Sequence, residues 1–510
     1  MLLLLSGYLT AMKHSVLTIL LTLLIALSPA AALTSNATQT SKQSAKKSIE
    51  TLINKQIGSQ AVISICAMTR DGKTVVDINS SKMLAPASNV KLISTGTALH
   101  RLGPDHRFET TLAYDGEIID GTLNGNVYII GGGDPTLGSK DSIATPVEKI
   151  FAQWTAMLRR FGIRNIKGRI IGDGRYFDSM LEHPTWLIED VGTYYGAGSS
   201  GLMFYENMQS FKVSAGAEAG DKLEIAPSYP QAPWMEFRYN CYTGEEGTGN
   251  MLVMSTTELA PVAEIRGTLG VDRKNARLDG SNKFPEYTCA YHFKKHLEEN
   301  GITCTGVGDF RLDRSWTCHG KMKWLGKTYS PTLKQIIFET NHISNNVYAE
   351  TLMRTLGKEM TGSACYDSSY VATKKVLSEL QVSTKNGYRI KDGSGLSRQN
   401  HISSDFLCRF LRGMINSPYY AHYLETLPYP GGNGTLKYNM QEVPRETRVR
   451  IKAKSGSMNG VRCYSGYILP KKGSGKDVII FSIMVNNCTS PSWKVRNLLD
   501  EIMLELAKLN

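Results

Sequence analysis

The chain has 510 residues, 41% of them hydrophobic and 20% charged, with a formal net charge of +12. That length holds two or three domains, and the composition fits an ordinary soluble globular protein. The positive balance could suit nucleic acid, but no basic run with interleaved aromatic residues accompanies it, so nucleic-acid binding is set aside; an anionic cell envelope is the other surface such a charge suits.

At the N-terminus, Lys13 and His14 precede an apolar run from Val16 to Leu27, followed by Pro29 and Ala30-Ala31-Ala32. A charged start, a short apolar core and a small-residue cleavage signal predict a signal peptide over residues 1–32, with a mature chain from about Leu33. Met12 is an alternative start. No cysteine stands at the cleavage point, which argues against a lipid anchor. No later segment approaches the ~18 apolar residues of a membrane span, so no transmembrane anchor is expected in the mature chain. Nine cysteines in an exported protein leave at least one thiol free or intermolecular, and none can be paired from sequence.

Residues 33–50 read as a linker, with Thr34 to Lys47 polar and disordered. Val62 to Met68 is a strand, and Thr74 to Ile78 is its hairpin partner across Asp71-Gly72. Pro86 introduces a helix from about Ser88 to Leu102, striped by Val90, Leu92, Ile93, Leu99 and Leu102 and stopped by Gly103-Pro104. Asn126 to Ile130 and Gly168 to Ile171 read as strands, and Val147 to Phe161 as a helix. These elements make the long stretch between Lys91 and Ser344 inserted folded material, since a structureless connection of that size is implausible. Pro227 to Pro233 and Gly244 to Gly249 are loops within it. Val461 to Leu469 and Val478 to Val485 read as neighbouring strands; Val495, Leu498, Leu499, Ile502 and Leu506 then mark a final helix lying on a sheet.

Three motifs follow one another: Ser88-Asn89-Val90-Lys91, Ser344-Asn345-Asn346 and Lys454-Ser455-Gly456. Ser88 and Lys91, three apart, share a helix face. A serine hydroxyl needs a neighbouring base, and a lysine amine serves once its pKa is depressed by burial and a second cation, here Lys454. Ser88 is then the nucleophile and Lys91 the base. Ser344 relays a proton to the leaving amine, and Asn346 donates through its amide. Lys454, with the hydroxyls of Ser455 and Ser457, suits a terminal carboxylate, and Gly456 admits a close substrate backbone. Ser44-Ala45-Lys46-Lys47 matches the first motif too, but it lies in the polar linker. Gly131-Gly132-Gly133-Asp134-Pro135 lacks the ending of a phosphate loop and reads as a turn. His292 and His296 lack the glutamate of a zinc motif, so neither metal nor organic cofactor is expected.

The ordered motif set is that of class A β-lactamases and penicillin-binding proteins. From about Thr51 onward the chain resembles the class C low-molecular-mass penicillin-binding proteins, the D-alanyl-D-alanine carboxypeptidase/endopeptidase family called peptidase S13. The resemblance rests on Ala85 to Lys91, Gly132 to Leu137, Tyr195-Gly196-Ala197, Ser344 to Glu350, Asp392 to Arg398 and Gly434-Thr435-Leu436. Ser-Asn-Asn stands where Ser-Asp-Asn is commoner, and Ser455 where threonine is usual.

The resemblance implies a mixed α/β fold: a penicillin-binding-protein/β-lactamase-like transpeptidase domain of residues 51–105 and 325–510. Two nested inserted domains are implied, one of residues 106–210 and 266–324, the other of residues 211–265. It further implies an oxyanion hole from the backbone N–H groups of Ser88 and Ser457, and a pocket for a diamino acid lined by Asp190 and Arg398. The expected activity is that of an exported, periplasmic serine DD-peptidase acting on peptidoglycan stem peptides and cross-links, with β-lactam antibiotics acylating Ser88. The rivals are a β-lactamase and a non-catalytic cell-wall-binding or sensing module.

Overall fold

A computed structural model describes residues 42–57, 61–178, 180–310 and 321–510. The expected signal peptide, residues 33–41 of the expected linker and Cys318 lie outside the described residues.

The two ends of the described chain build one antiparallel sheet, in the order Ile451–Met458, Val461–Ile468, Ile479–Asn486, Val62–Thr69, Thr74–Ile78. The N-terminal hairpin seals it by pairing Val62 with Asn486 through to Thr69 with Ile479. Both faces are covered. Along Ile479–Asn486, residues Ile479, Phe481, Ile483 and Val485 enter one core, while Ile480 and Met484 enter the other. This is the period-two alternation of a strand with two buried faces. Ser492–Lys508 covers the first face through Val495, Leu498, Leu499, Ile502 and Leu506. On the second face lie Val90–Leu102, Leu333–His342, Asn346–Thr361, Tyr366–Glu379 and Ser404–Ile415.

Residues 42–50, expected as linker, are helical instead. They open a helix over residues 42–56 that buries Ala45 and Ile49 and donates from Gln56 to Glu501 at 2.8 Å. Ala45, Ile49 and Ile53 recur every four residues, a helical stripe that the polar composition around them conceals.

The insertion carries its own cores. A seven-stranded sheet includes Lys323–Tyr329, Glu109–Tyr114, Val127–Gly131 and Asn165–Asp173, with helices Val147–Arg160 and Pro285–Glu299 packed on it. Beyond it are two three-stranded sheets, Glu224–Pro227 with Met208–Ser214 and Ala276–Ser281, and Glu236–Gly244 with Ala260–Gly270 and Val253–Thr257. Three expected limits cut through strands. Limits at 210/211 and 265/266 divide Met208–Ser214 and Ala260–Gly270, and one at 324/325 divides Lys323–Tyr329, which pairs with Glu109–Tyr114. The pairing of Met208–Ser214 with Ala276–Ser281 suits an innermost unit of about residues 208–281.

Candidate active site

Ser88 sits in the single turn Ala87–Asn89 that leads into the helix Val90–Leu102. That helix runs through the middle of the helical layer, and every residue from Val90 to Leu99 is buried. Lys91 therefore enters the site from below, fully withdrawn from solvent. Its Nζ lies 2.9 Å from Ser88 Oγ, 2.6 Å from Asn346 Oδ1 and 2.8 Å from the Ser394 carbonyl oxygen. The last two only accept hydrogen bonds. They occupy both N–H bonds of a neutral amine and leave its lone pair to the serine hydroxyl. Burial lowers the Lys91 pKa to about 7, while the Glu350 and Asp392 carboxylates act in the opposite direction.

Ser344 lies between Leu333–His342 and Asn346–Thr361 with a left-handed φ of 62°. Asn346 donates to the Tyr195 carbonyl at 2.8 Å, which turns its Oδ1 toward Lys91. Lys454, on the edge strand Ile451–Met458, is also fully buried. It donates to Ser344 Oγ and to the Ser455 carbonyl, both at 2.9 Å. Burial first, then the nearby Lys91, hold its pKa well below that of a free lysine. Ser455 donates to Thr435 Oγ1 at 2.7 Å.

One cavity of about 740 Å³ opens over Ser88, Ser344, Asn346 and Ser457, and Asp190, Tyr195 and Arg398 also line it. Tyr195 hydrogen-bonds the Asp190 carboxyl, whose pKa is raised chiefly by burial and drawn down in part by Arg398. Arg398 is exposed and donates to the Asn459 carbonyl at 3.3 Å. Gly456 makes a close approach within the protein itself. It is buried against the serine turn, where a Cβ would stand 2.7 Å from the Pro86 carbonyl oxygen. The tight contact is between edge strand and serine turn.

Two buried carboxylates complete the site, and the motif chemistry assigned neither of them a part. Glu350 accepts from the N–H groups of Gly393 at 3.0 Å and Ser394 at 2.7 Å. Asp392 accepts from the N–H groups of Gly395 and Ser397, from Trp186 Nε1 and from Asn400 Nδ2. Together they fix the loop that aims the Ser394 carbonyl at Lys91. Gly395, at φ +87°, lets this loop pass the Ser88 turn, since a Cβ there would overlap the Ala87 carbonyl oxygen at 2.0 Å. A signal for Glu350 was present: it stands four residues after Asn346, on the same helix face. The decoy Ser44 and Lys47 are exposed on the first helix, far in sequence from the other motifs.

Residues 45–506 match the D-Ala-D-Ala carboxypeptidase 3 (S13) family, and the chain belongs to that family. A D-alanyl-D-alanine carboxypeptidase of Actinomadura sp. (strain R39) is 29% identical over 442 residues, covering 83% of this chain and 77% of that protein. The D-alanyl-D-alanine carboxypeptidase DacB of Haemophilus influenzae is 22% identical over 407 residues, covering 78% of this chain and 80% of its own. In fold, the crystal structure of penicillin-binding protein 4 (dacB) from Haemophilus influenzae superposes with a TM-score of 0.78 at 20% identity, covering 90% of this chain and 99% of that one.

Proposed function

We propose that the chain is an exported serine DD-peptidase that removes the terminal D-alanine of peptidoglycan stem peptides and opens D-Ala-diamino-acid cross-links. The observation that carries the reading is Lys91: buried, with its pKa brought to about 7 and bound to Ser88 and two fixed acceptors. Its lone pair takes the Ser88 proton as Oγ attacks the carbonyl of the penultimate residue. The C–N bond breaks, and the Ser344 hydroxyl passes a proton to the departing amine. Lys91 gives up the proton it took from Ser88 to refill Ser344, whose Oγ is held by a hydrogen bond from Lys454. Water then cleaves the acyl-enzyme along the reverse proton path. Backbone N–H groups of Ser88 and Ser457 hold the developing oxyanion, and no metal takes part.

The inserted region favours this reading over a β-lactamase, because Asp190, Tyr195 and Asp279 from it line the cavity over the serine and suit a longer peptide. The test combines labelled penicillin with a D-Ala-D-Ala peptide. Label mapping to Ser88, with Ser88→Ala losing both label and hydrolysis, is expected. Label at another serine, or hydrolysis by Ser88→Ala, overturns it. Rapid penicillin turnover with no peptide hydrolysis indicates the β-lactamase.

A further inference from the structure

Asn345, the central residue of the second motif, faces away from Lys91. Its Oδ1 accepts from the Tyr348 backbone N–H at 3.1 Å, capping the helix Asn346–Thr361. That bond fixes which way the amide points. Its Nδ2 therefore donates outward, to Glu206 Oε2 at 2.8 Å. Glu206 comes from the insertion, and its other oxygen accepts from Ser139 Oγ at 2.8 Å. The residues around it are unusual: Tyr205, Glu206 and Asn207 have successive φ values of 53°, 56° and 52°. Side chains other than glycine hold such conformations only when their surroundings enforce them. Here buried Asn207 enforces them, with Oδ1 accepting from the Phe204 N–H and Nδ2 donating to the Gly198 carbonyl, both at 3.2 Å. Two left-handed segments, Tyr205–Asn207 and Ser344, are thus joined through a single carboxylate–amide bond.

We propose that Glu206 is a positioning residue through which the inserted region sets the Ser344-Asn345-Asn346 turn, and that residue 345 is an amide because Glu206 faces it. An aspartate at 345 keeps the helix cap but turns a carboxylate oxygen onto Glu206, a like-charge contact in a buried place. That gives a physical reason for Ser-Asn-Asn where Ser-Asp-Asn is commoner. Asn346 starts the same helix and holds Lys91, so a shift of the cap reaches the base. The inference rests on the proposed acyl transfer, and Ser88→Ala labelling tests that reading separately.

The experiment is a reciprocal exchange in the full chain, read as the rate of acylation by a labelled penicillin, with thermal melting as the folding control. Asn345→Asp is expected to slow acylation on the order of 30-fold, the size of a like-charge contact. Glu206→Gln alone, which still accepts from Asn345, is expected to lose less. Combined, Glu206→Gln and Asn345→Asp restore a donor–acceptor pair with its direction reversed, and the rate returns to within about threefold of Glu206→Gln. A purely structural role predicts additive losses. An Asn345→Asp enzyme as fast as wild type, or a folded double variant no faster than Asn345→Asp, overturns the proposal.

Discussion

Lys91 and Lys454 are both fully withdrawn from solvent, yet they occupy opposite surroundings. Lys91 is ringed by acceptors and lies in the field of Glu350 and Asp392, which oppose the effect of burial and leave its pKa at about 7. Lys454 has the Ser344 hydroxyl and the Ser455 carbonyl as partners, and the charge acting on it is Lys91 itself. Burial alone pushes a lysine far down; carboxylates at a tuned distance bring it back to neutrality of solution. With Lys91 as the proposed base, its pKa near 7 reflects the Glu350–Asp392 loop as well as the burial of the serine–lysine helix.

The sharpest way to break this comparison is to remove one amine at a time. Lys91→Ala is expected to slow both peptide hydrolysis and penicillin acylation by about 100- to 10,000-fold, the usual worth of a positioned general base. In wild type the active form is the neutral amine, so acylation rises as pH increases through about 7. Burial raises the Glu350 pKa to about 7 as well, so Glu350→Gln removes a partial charge that raises the Lys91 pKa and should move this acidic limb modestly to lower pH. Stability carries the same sign. Between about 7 and the unfolded value of 10.5 the unfolded chain binds the proton that the folded chain lacks, so this group's contribution to stability increases as pH rises through that window. A limb that does not move in Glu350→Gln would assign the base elsewhere.

Lys454→Ala should have the next largest effect, and its size depends on the substrate. If its charge helps hold a terminal carboxylate through Ser455 and Ser457, the loss on a free acid is about 1.5–3 kcal/mol, or roughly 10- to 150-fold, and a peptide amide loses much less. Lys454 itself is covered and bonded to Ser344. Equal losses on acid and amide would therefore mean that it acts through the proton relay alone.

What could be read in the sequence follows the same divide. The serine–lysine helix and the final helix were legible because each repeats apolar residues at helical spacing, the N-terminal hairpin because two apolar runs flank Asp71-Gly72, and the three motifs because their spacing is local. The helix over residues 42–56 was hidden because a sparse stripe of Ala45, Ile49 and Ile53 runs through polar residues. The roles of Glu350, Asp392 and Glu206 were hidden for another reason. Glu350 and Glu206 act through partners distant in sequence, Gly393 and Asn345, and Asp392 ties its own loop to the distant Trp186. No pattern along the chain marks a carboxylate as buried. Gly456 was marked as special, but its contact with the Pro86 carbonyl was not foreseen, because sequence shows that space is needed without showing what fills it.

The smallest expected effect lies at the cavity rim, where the surroundings contrast most with the two buried lysines. Asp190 and Arg398 line the same cavity as Ser88, and the charge of Arg398 draws the Asp190 pKa down against burial. An acid and a guanidinium facing one space suit the ammonium and carboxylate of a diaminopimelate end, whereas lysine offers only the ammonium. Wild type should therefore prefer stem peptides whose diaminopimelate side chain has a free, zwitterionic end. Arg398 is exposed, and solvent screens its charge, so Arg398→Ala should lower that preference only about two- to fivefold. Penicillin carries no such end, and its acylation of Ser88 should barely change. The measurement is kcat/KM on the paired peptides beside the acylation rate. Equal cleavage of both peptides by wild type rejects the pocket, and a parallel fall in penicillin acylation would place Arg398 in support of the loop that carries Ser394 rather than in substrate recognition.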